Sequence, residues 1–341
     1  MKESSTNSSV NKPPVPPRGC YPGAILEEGQ TTIEEFNRVT GHRHPIFMTF
    51  LSFPQVLDPG KPEHGKAVRF FKACRMNNAI PAITIETFGG LNSYTEEQVQ
   101  EFARFLHAFA CPMILRWNHE MNGSWYPWGQ QPDLYVSKFR EFASVIRTRA
   151  PGVAMAWTPN QGWGYPWRDC PYFNPTMSPG DPYSPYYPGD DYVDWVGISF
   201  YHWGEDRGAN QVPPPGKWSR ANGIGQRIGH PVPNFHDVFA VGHGKPMMIA
   251  ETSALFGTRD SRGGGASDKD IKIAWMAQVY NLTDESQPRL DRDLRELKAI
   301  FWFNILKHEA EVKGDVDWRI SGNPAVATAY SQVIANEYFV K

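Results

Sequence analysis

Eight short apolar runs recur along this 341-residue chain, at 24–26, 45–53, 80–85, 113–117, 153–157, 193–200, 246–250 and 299–303. Most are near-continuous in Val, Ile, Leu, Met, Phe and Ala, the pattern of parallel strands buried on both faces. Helical patterns lie between them. Thr95 and Gln98 form a T-x-x-Q capping box. Val99, Phe102, Leu106 and Phe109 then follow along one apolar face. Ile33, Phe36 and Val39 make a shorter helix that Gly41 can end. Phe139, Phe142 and Ile146 repeat the pattern after the fourth run, and residues 269–281 repeat it after the seventh. Eight strand–helix units in one chain of this length predict a single-domain α/β fold, the (β/α)8 TIM barrel. A doubly wound sheet would want G-x-G-x-x-G after its first strand, and GAILEEG does not supply it.

Residues 19–341 are expected to form the barrel, and residues 1–18, rich in Ser, Asn and Pro, a disordered linker. Two long connections, about 160–191 and 203–236, are rich in Pro, Gly, Tyr and Trp. A barrel would place both above the C-terminal ends of its strands, where active sites are built.

The segment WNHEMNGSWYPWG, residues 117–129, suits neither a core strand nor an ordinary solvated loop. Other polar residues also stand where apolar runs end: Glu86, Asn118-His119-Glu120, Asn160, Tyr201-His202 and Glu251. The ends of different barrel strands converge on one mouth. A strand such as KPMMIAE, running straight into a carboxylate, needs a reason, because burying an unpaired charge is expensive. One reason is an ion pair with Arg116. Another is chemistry: two carboxylates across a mouth lined with rings are the equipment for glycoside hydrolysis. Aromatics make up 13% of the chain, with 12 Trp and 14 Tyr, and several fall in loops where sugar faces could stack. Trp125, Trp128, Trp203 and Trp302 are the strongest candidates, ahead of Trp163, Tyr165, Trp167 and Trp218.

Other classes fit less well. HExxH zinc chemistry would need His at position 123, which is Gly123. No G-x-S-x-G marks a serine nucleophile. A net charge of −2 with no basic stripe argues against nucleic acid. No run approaches the roughly 18 apolar residues needed to span a membrane. The four cysteines lack CxxC spacing, and Cys74 and Cys111 read as buried free thiols. Residues 1–18 contain no apolar leader, while Asn7 and Asn281 begin N-x-S/T sequons, so the expectation is secretion with the leader missing from this chain, and a cytosolic location is the alternative. A non-catalytic sugar-binding barrel would use the same rings and need neither glutamate.

RWNHEMNGSWYPWG resembles the fourth-strand signature of glycoside hydrolase family 26, a His-Glu pair followed by Asn-Gly and a Trp-rich loop. WTPN at 157–160, DWVGISFY at 194–201 and MIAETSA at 248–254 are similar to its fifth-, sixth- and seventh-strand motifs. The resemblance runs from about Gly23 to Asn304. It implies a retaining double displacement with Glu120 as acid/base and Glu251 as nucleophile. It further implies His119 beside the acid, Tyr201 hydrogen-bonded to the nucleophile, and Trp302 as the floor under the sugar being cleaved. Family members act on β-1,4-mannan, mixed-linkage β-1,3-1,4-glucan or β-1,3-xylan. Mannanases of the family carry WFWWG where this chain has WYPWG, which raises mixed-linkage glucan beside mannan. The expected partner is a polysaccharide cut internally by a monomeric enzyme, with Glu86, Asn118 and Asn160 as further binding residues and no cofactor or metal.

Overall fold

The structure, a computed structural model, describes residues 10–177, 179–221, 223, 232–258 and 265–341. Eight parallel strands close into a barrel in chain order. They are β1 (Tyr21–Ile25), β2 (Ile46–Ser52), β3 (Ile80–Glu86), β4 (Met113–Trp117), β5 (Val153–Trp157), β6 (Trp195–His202), β7 (Met247–Ala254) and β8 (Leu297–Phe303). β8 closes on β1, with Tyr21 opposite Ala299 and Ile25 opposite Phe303. Around them lie α1 (Ile33–Thr40), α2 (Pro62–Met76), α3 (Glu96–Ala108), α4 (Pro132–Arg149), α5 (Lys217–Ala221), α6 (Asp268–Val279) and α7 (Pro324–Ile334). A hairpin of β9 (Leu306–Glu309) and β10 (Gly314–Asp317) interrupts the path from β8 to α7. The expected TIM barrel is the observed fold.

Local signals act as physical chemistry requires. The Thr95–Gln98 box caps α3 in both directions, and Val99, Phe102 and Leu106 are buried beneath it. Gly41 ends α1 at φ +70°, a conformation glycine adopts without a Cβ clash. Alternation along each strand separates two apolar layers. On β8, Ala299, Phe301 and Phe303 join the barrel interior, while Ile300 and Trp302 join the layer under the helices. β6 and β7 run past the ends of their apolar runs, to His202 and Ala254, with Tyr201 paired opposite Ser253. The ladder satisfies the backbone of the polar residues in these strands; Tyr201 and Glu251 reach the mouth, whereas His202 and Thr252 contact Trp275 under the helices.

Of the 1–18 segment, residues 1–9 lie outside the described residues. The part from Val10 onward runs against the barrel, with Lys12 Nζ 2.6 Å from Asp194 and the Tyr21 hydroxyl donating to Pro14 O. All four cysteines are free thiols: Cys20 and Cys74 are buried, Cys111 only partly so. The Asn281 sequon is no glycan site in this fold. Its side chain is buried, and its amide nitrogen faces the carbonyls of Asp284, Gln287 and Pro288. Asn7 lies outside the described residues. No described helix is long and apolar enough to cross a membrane.

Candidate active site

The mouth of the barrel holds a cavity of about 810 Å³. Two local irregularities aim its central carboxyls. On β7, Met248 and Ala250 face the interior, so simple alternation would send Glu251 outward, toward the helices. The β6–β7 register instead shifts: Ile198 lies opposite Ile249, but Ser199 lies opposite Glu251. Ala250 is the extra residue of a bulge, and the bulge turns Glu251 into the mouth. At the end of β4 the chain bends through two left-handed residues, Asn118 (φ +44°) and Glu120 (φ +54°). Such conformations cost on the order of 1–3 kcal/mol each. They are held in place by bonds from Thr87 N to Asn118 Oδ1, from Glu120 N to Thr158 O and from Gly123 N to Glu120 O.

One carboxylate oxygen from each of Glu120 and Glu251 and one ring nitrogen of His119 lie within 4.8 Å of one another. Arg116, wholly buried below them, makes an ion pair with Glu251 Oε1 and donates to Thr158 and Ser199 at 2.5 and 2.6 Å. The Tyr201 hydroxyl donates to Glu251 Oε2 at 2.5 Å. Both oxygens of Glu251 thus accept hydrogen bonds, which fix the carboxyl's orientation in the mouth. Glu120 has another environment. Burial, followed by the negative charge of Glu251, raises its pKa to about 7, opposed by Arg116 and by hydrogen bonds from Asn160 and from the Trp125 indole at 2.8 Å. Glu86 is a third buried carboxyl of the cavity, pushed up to about 8 by burial and then by Glu251. Burial, then the charge of Arg116, holds the His119 pKa well below the ordinary value, so its imidazole is neutral. His119, Glu120 and Glu251 have the spacing of a metal triad, but the Arg116 guanidinium already supplies the positive charge beside Glu251. One carboxyl is set up to donate a proton and its neighbour to attack or stabilise positive charge, the division of labour glycoside cleavage requires.

The sequence candidates divide. Glu86, His119, Glu120, Trp125, Asn160, Tyr201, Trp203 and Glu251 all line the cavity. Asn118, Trp128 and Trp302 do not. Asn118 is buried behind the mouth and spends its amide on Thr87, tying the ends of β3 and β4 together. Trp128 is buried, stacks on Tyr126 and donates to His119 O, bracing the histidine rather than meeting a ligand. The expectation that Trp302 forms the floor is corrected by strand parity. Trp302 points into the layer under the helices with its indole on Trp318 O, and Phe303 enters the cavity instead. Arg116 is indeed the ion-pair partner anticipated for a buried glutamate, yet the pair lies inside the mouth, not apart from it. Phe50, Tyr126 and Trp318 also line the cavity without having been named as binding residues. Counting alternation along β8 would have found Phe303. Trp318, beyond a charged hairpin, carries no signal in the sequence.

The fold and site define a TIM barrel with a two-carboxylate, ring-lined cleft. Residues 72–211 match the model of Glycosyl hydrolase family 26. It is 23% identical over 320 residues to Endoglucanase H of Acetivibrio thermocellus, covering 90% of this chain and 29% of that protein. It is 29% identical over 209 residues to the β-1,3-xylanase TXYA of a Vibrio species, covering 58% and 37%. The chain therefore spans about a third of the length of these curated relatives. Among solved structures it is similar in fold to the Bacillus subtilis mannanase BCman, with a TM-score of 0.56 at 15% identity, covering 95% of this chain and 87% of that one.

Proposed function

We propose that this chain is a retaining glycoside hydrolase that cuts within a neutral β-linked polysaccharide, with mixed-linkage β-glucan the first substrate to test. The observation that carries the reading is the approach of Glu120 and Glu251 oxygens to within 4.8 Å. Retaining pairs stand at about 5–5.5 Å, whereas inverting pairs need about 6.5–9.5 Å to admit a water. Glu251 attacks the anomeric carbon while neutral Glu120 protonates the departing oxygen, and a glycosyl ester forms on Glu251. Glu120, now a carboxylate, takes a proton from water, which opens the ester. Trp125 and Trp167, edge to face at 5.0 Å, flank the acid and present rings to the departing sugar. Tyr201, Trp203 and Phe303 present rings on the other side of the reaction centre, and Glu86 offers a carboxyl to sugar hydroxyls. The lining includes eight Asp or Glu side chains against Arg207 and Lys307, which disfavours polyuronates and suits uncharged glycans.

β-Glucan is favoured by the endoglucanase relative, which aligns with most of this chain. β-1,3-Xylan is the second reading, supported by the higher identity to the xylanase over a shorter span. Initial rates on lichenan, β-1,3-xylan, mannan and galactomannan, with product sizing, decide among them. Oligosaccharide products with retained β-configuration are expected. Absence of new reducing ends from the whole panel would leave a sugar-binding barrel as the better reading.

The charge state of Glu120 predicts the pH profile. The first step needs the protonated acid, so kcat/KM is high below a pH of about 7 and falls as pH rises through that value. The Trp125 indole hydrogen bond stabilises the carboxylate and lowers the pKa. Trp125→Phe keeps a ring and removes the donor, so the alkaline limb should move to higher pH. A limb that stays in place would show that Trp125 does not tune the acid.

A further inference from the structure

The β9–β10 hairpin follows β8 at the mouth of the barrel, and nothing described so far gives it work. It is not a loose loop. Asp317 N donates to Phe256 O and Thr258 N to Asp315 O, extending β7 sideways onto β10. At its tip Val312 packs so tightly against Gly208 (φ +87°) that a Cβ there would come within 2.7 Å of Val312 Cγ1. The hairpin therefore bridges from the β8 end to the loops that follow β6 and β7. Its inner edge contributes Lys307, Glu309 and Glu311 to the cavity, and the chain leaving it contributes Trp318.

These side chains are organised. Glu309 is buried, its Oε1 accepts from the Trp318 indole at 2.8 Å, and its Oε2 lies 3.2 Å from Lys307 Nζ. The Trp318 ring packs edge-on against Tyr201 at 5.2 Å and Trp203 at 4.9 Å, continuing the aromatic wall. Trp318 O accepts from the Trp302 indole and the Ser253 hydroxyl, which fixes where the ring stands. A carboxylate, an ammonium and adjoining rings can accept from, donate to and stack on one pyranose.

Topology says which sugar. In a barrel of eight strands in chain order, β4 and β8 stand opposite each other. Glu120 follows β4 and must face the departing sugar, so the hairpin after β8 faces the part of the chain that remains on the enzyme.

We infer that the β9–β10 hairpin is a sugar-binding wall, in which Glu309, oriented by Trp318, and Lys307 hold an uncharged pyranose on the non-leaving side of the cleavage point. This rests on the glycoside hydrolase reading and adds where the chain's specificity resides. The hairpin then selects the register in which a polymer is cut.

The test uses the full chain and needs no turnover. Glu251→Ala protein is titrated calorimetrically with tetra-, penta- and hexasaccharides of whichever panel glycan the wild type cleaves. The titration is repeated after adding Glu309→Ala or, separately, Lys307→Met. Lys307 is half exposed, so its variant should fold even where Glu309→Ala does not. Each second change is expected to weaken hexasaccharide binding about tenfold. In otherwise wild-type protein, each should raise KM more than it lowers kcat and shift cleavage of 18O-labelled oligosaccharides to a different bond. Affinities and cleavage positions within twofold of the parent, for both variants, would overturn the inference while leaving the hydrolase reading intact. A wild type that neither cleaves nor binds any glycan would remove both.

Discussion

Glu251→Ala is expected to lower kcat by roughly 10^4-fold or more, since the ester intermediate then has no carboxylate on which to form. The fold should survive a loss of about 3–5 kcal/mol, the penalty for leaving the buried Arg116 charge without its partner, because the strand ladder is unchanged. Arg116 loses its partner but keeps bonds to Thr158 and Ser199. The diagnostic measurement is rescue by azide. A small anion can occupy the space left by the side chain and attack the anomeric carbon from the same face. Rescued Glu251→Ala should therefore release an α-glycosyl azide. Glu120→Ala should instead release the β-anomer, because azide there intercepts the ester already formed on Glu251. Wild-type turnover in Glu251→Ala, or the β-azide from it, would remove Glu251 from the nucleophile's role.

Arg116→Met should cost about 3–5 kcal/mol of stability, the usual penalty for leaving a buried charge without its partner. The pair is deeply enclosed, with side-chain exposures of 0% for Arg116 and 6% for Glu251. The guanidinium also holds Thr158 and Ser199, so three strands lose a shared tie. Urea unfolding followed by tryptophan fluorescence reads the loss directly. A second comparison separates charge from packing: Arg116→Met with Glu251→Gln should recover part of the stability, since no uncompensated charge then remains. A loss below about 1 kcal/mol in the single variant would mean that water or a neighbouring group already satisfies Glu251. The same substitution should slow turnover, because the guanidinium holds the carboxyl that attacks.

Much of the molecule was legible from residue order. The spacing of apolar runs defined the barrel because a strand buried on both faces must be apolar nearly throughout, and no tertiary detail is needed to see it. The Thr95–Gln98 cap and the Gly41 stop were equally plain, since each depends only on residues within a turn of itself. Glu86, Glu120 and Glu251 stood out because a carboxylate ending a buried strand is costly wherever it points. The sequence by itself therefore determined the strand–helix alternation and which polar residues would gather at one mouth.

Direction was another matter. Trp302 and Phe303 are neighbours, and which ring enters the cavity depends on strand parity set by pairing with β1 and β7. Glu251 faces Glu120 only because one bulged residue, Ala250, reverses that parity. Trp128 looked like a platform beside the acid, yet it folds beneath His119, because the turn at Asn118 and Glu120 is left-handed. Trp318 reaches the site across a hairpin whose anchors are backbone bonds to residues 256–258. Each of these outcomes depends on contacts between segments far apart in the chain, where a shift of one residue exchanges inside for outside. Only the closed barrel, by fixing register all the way round, decides them.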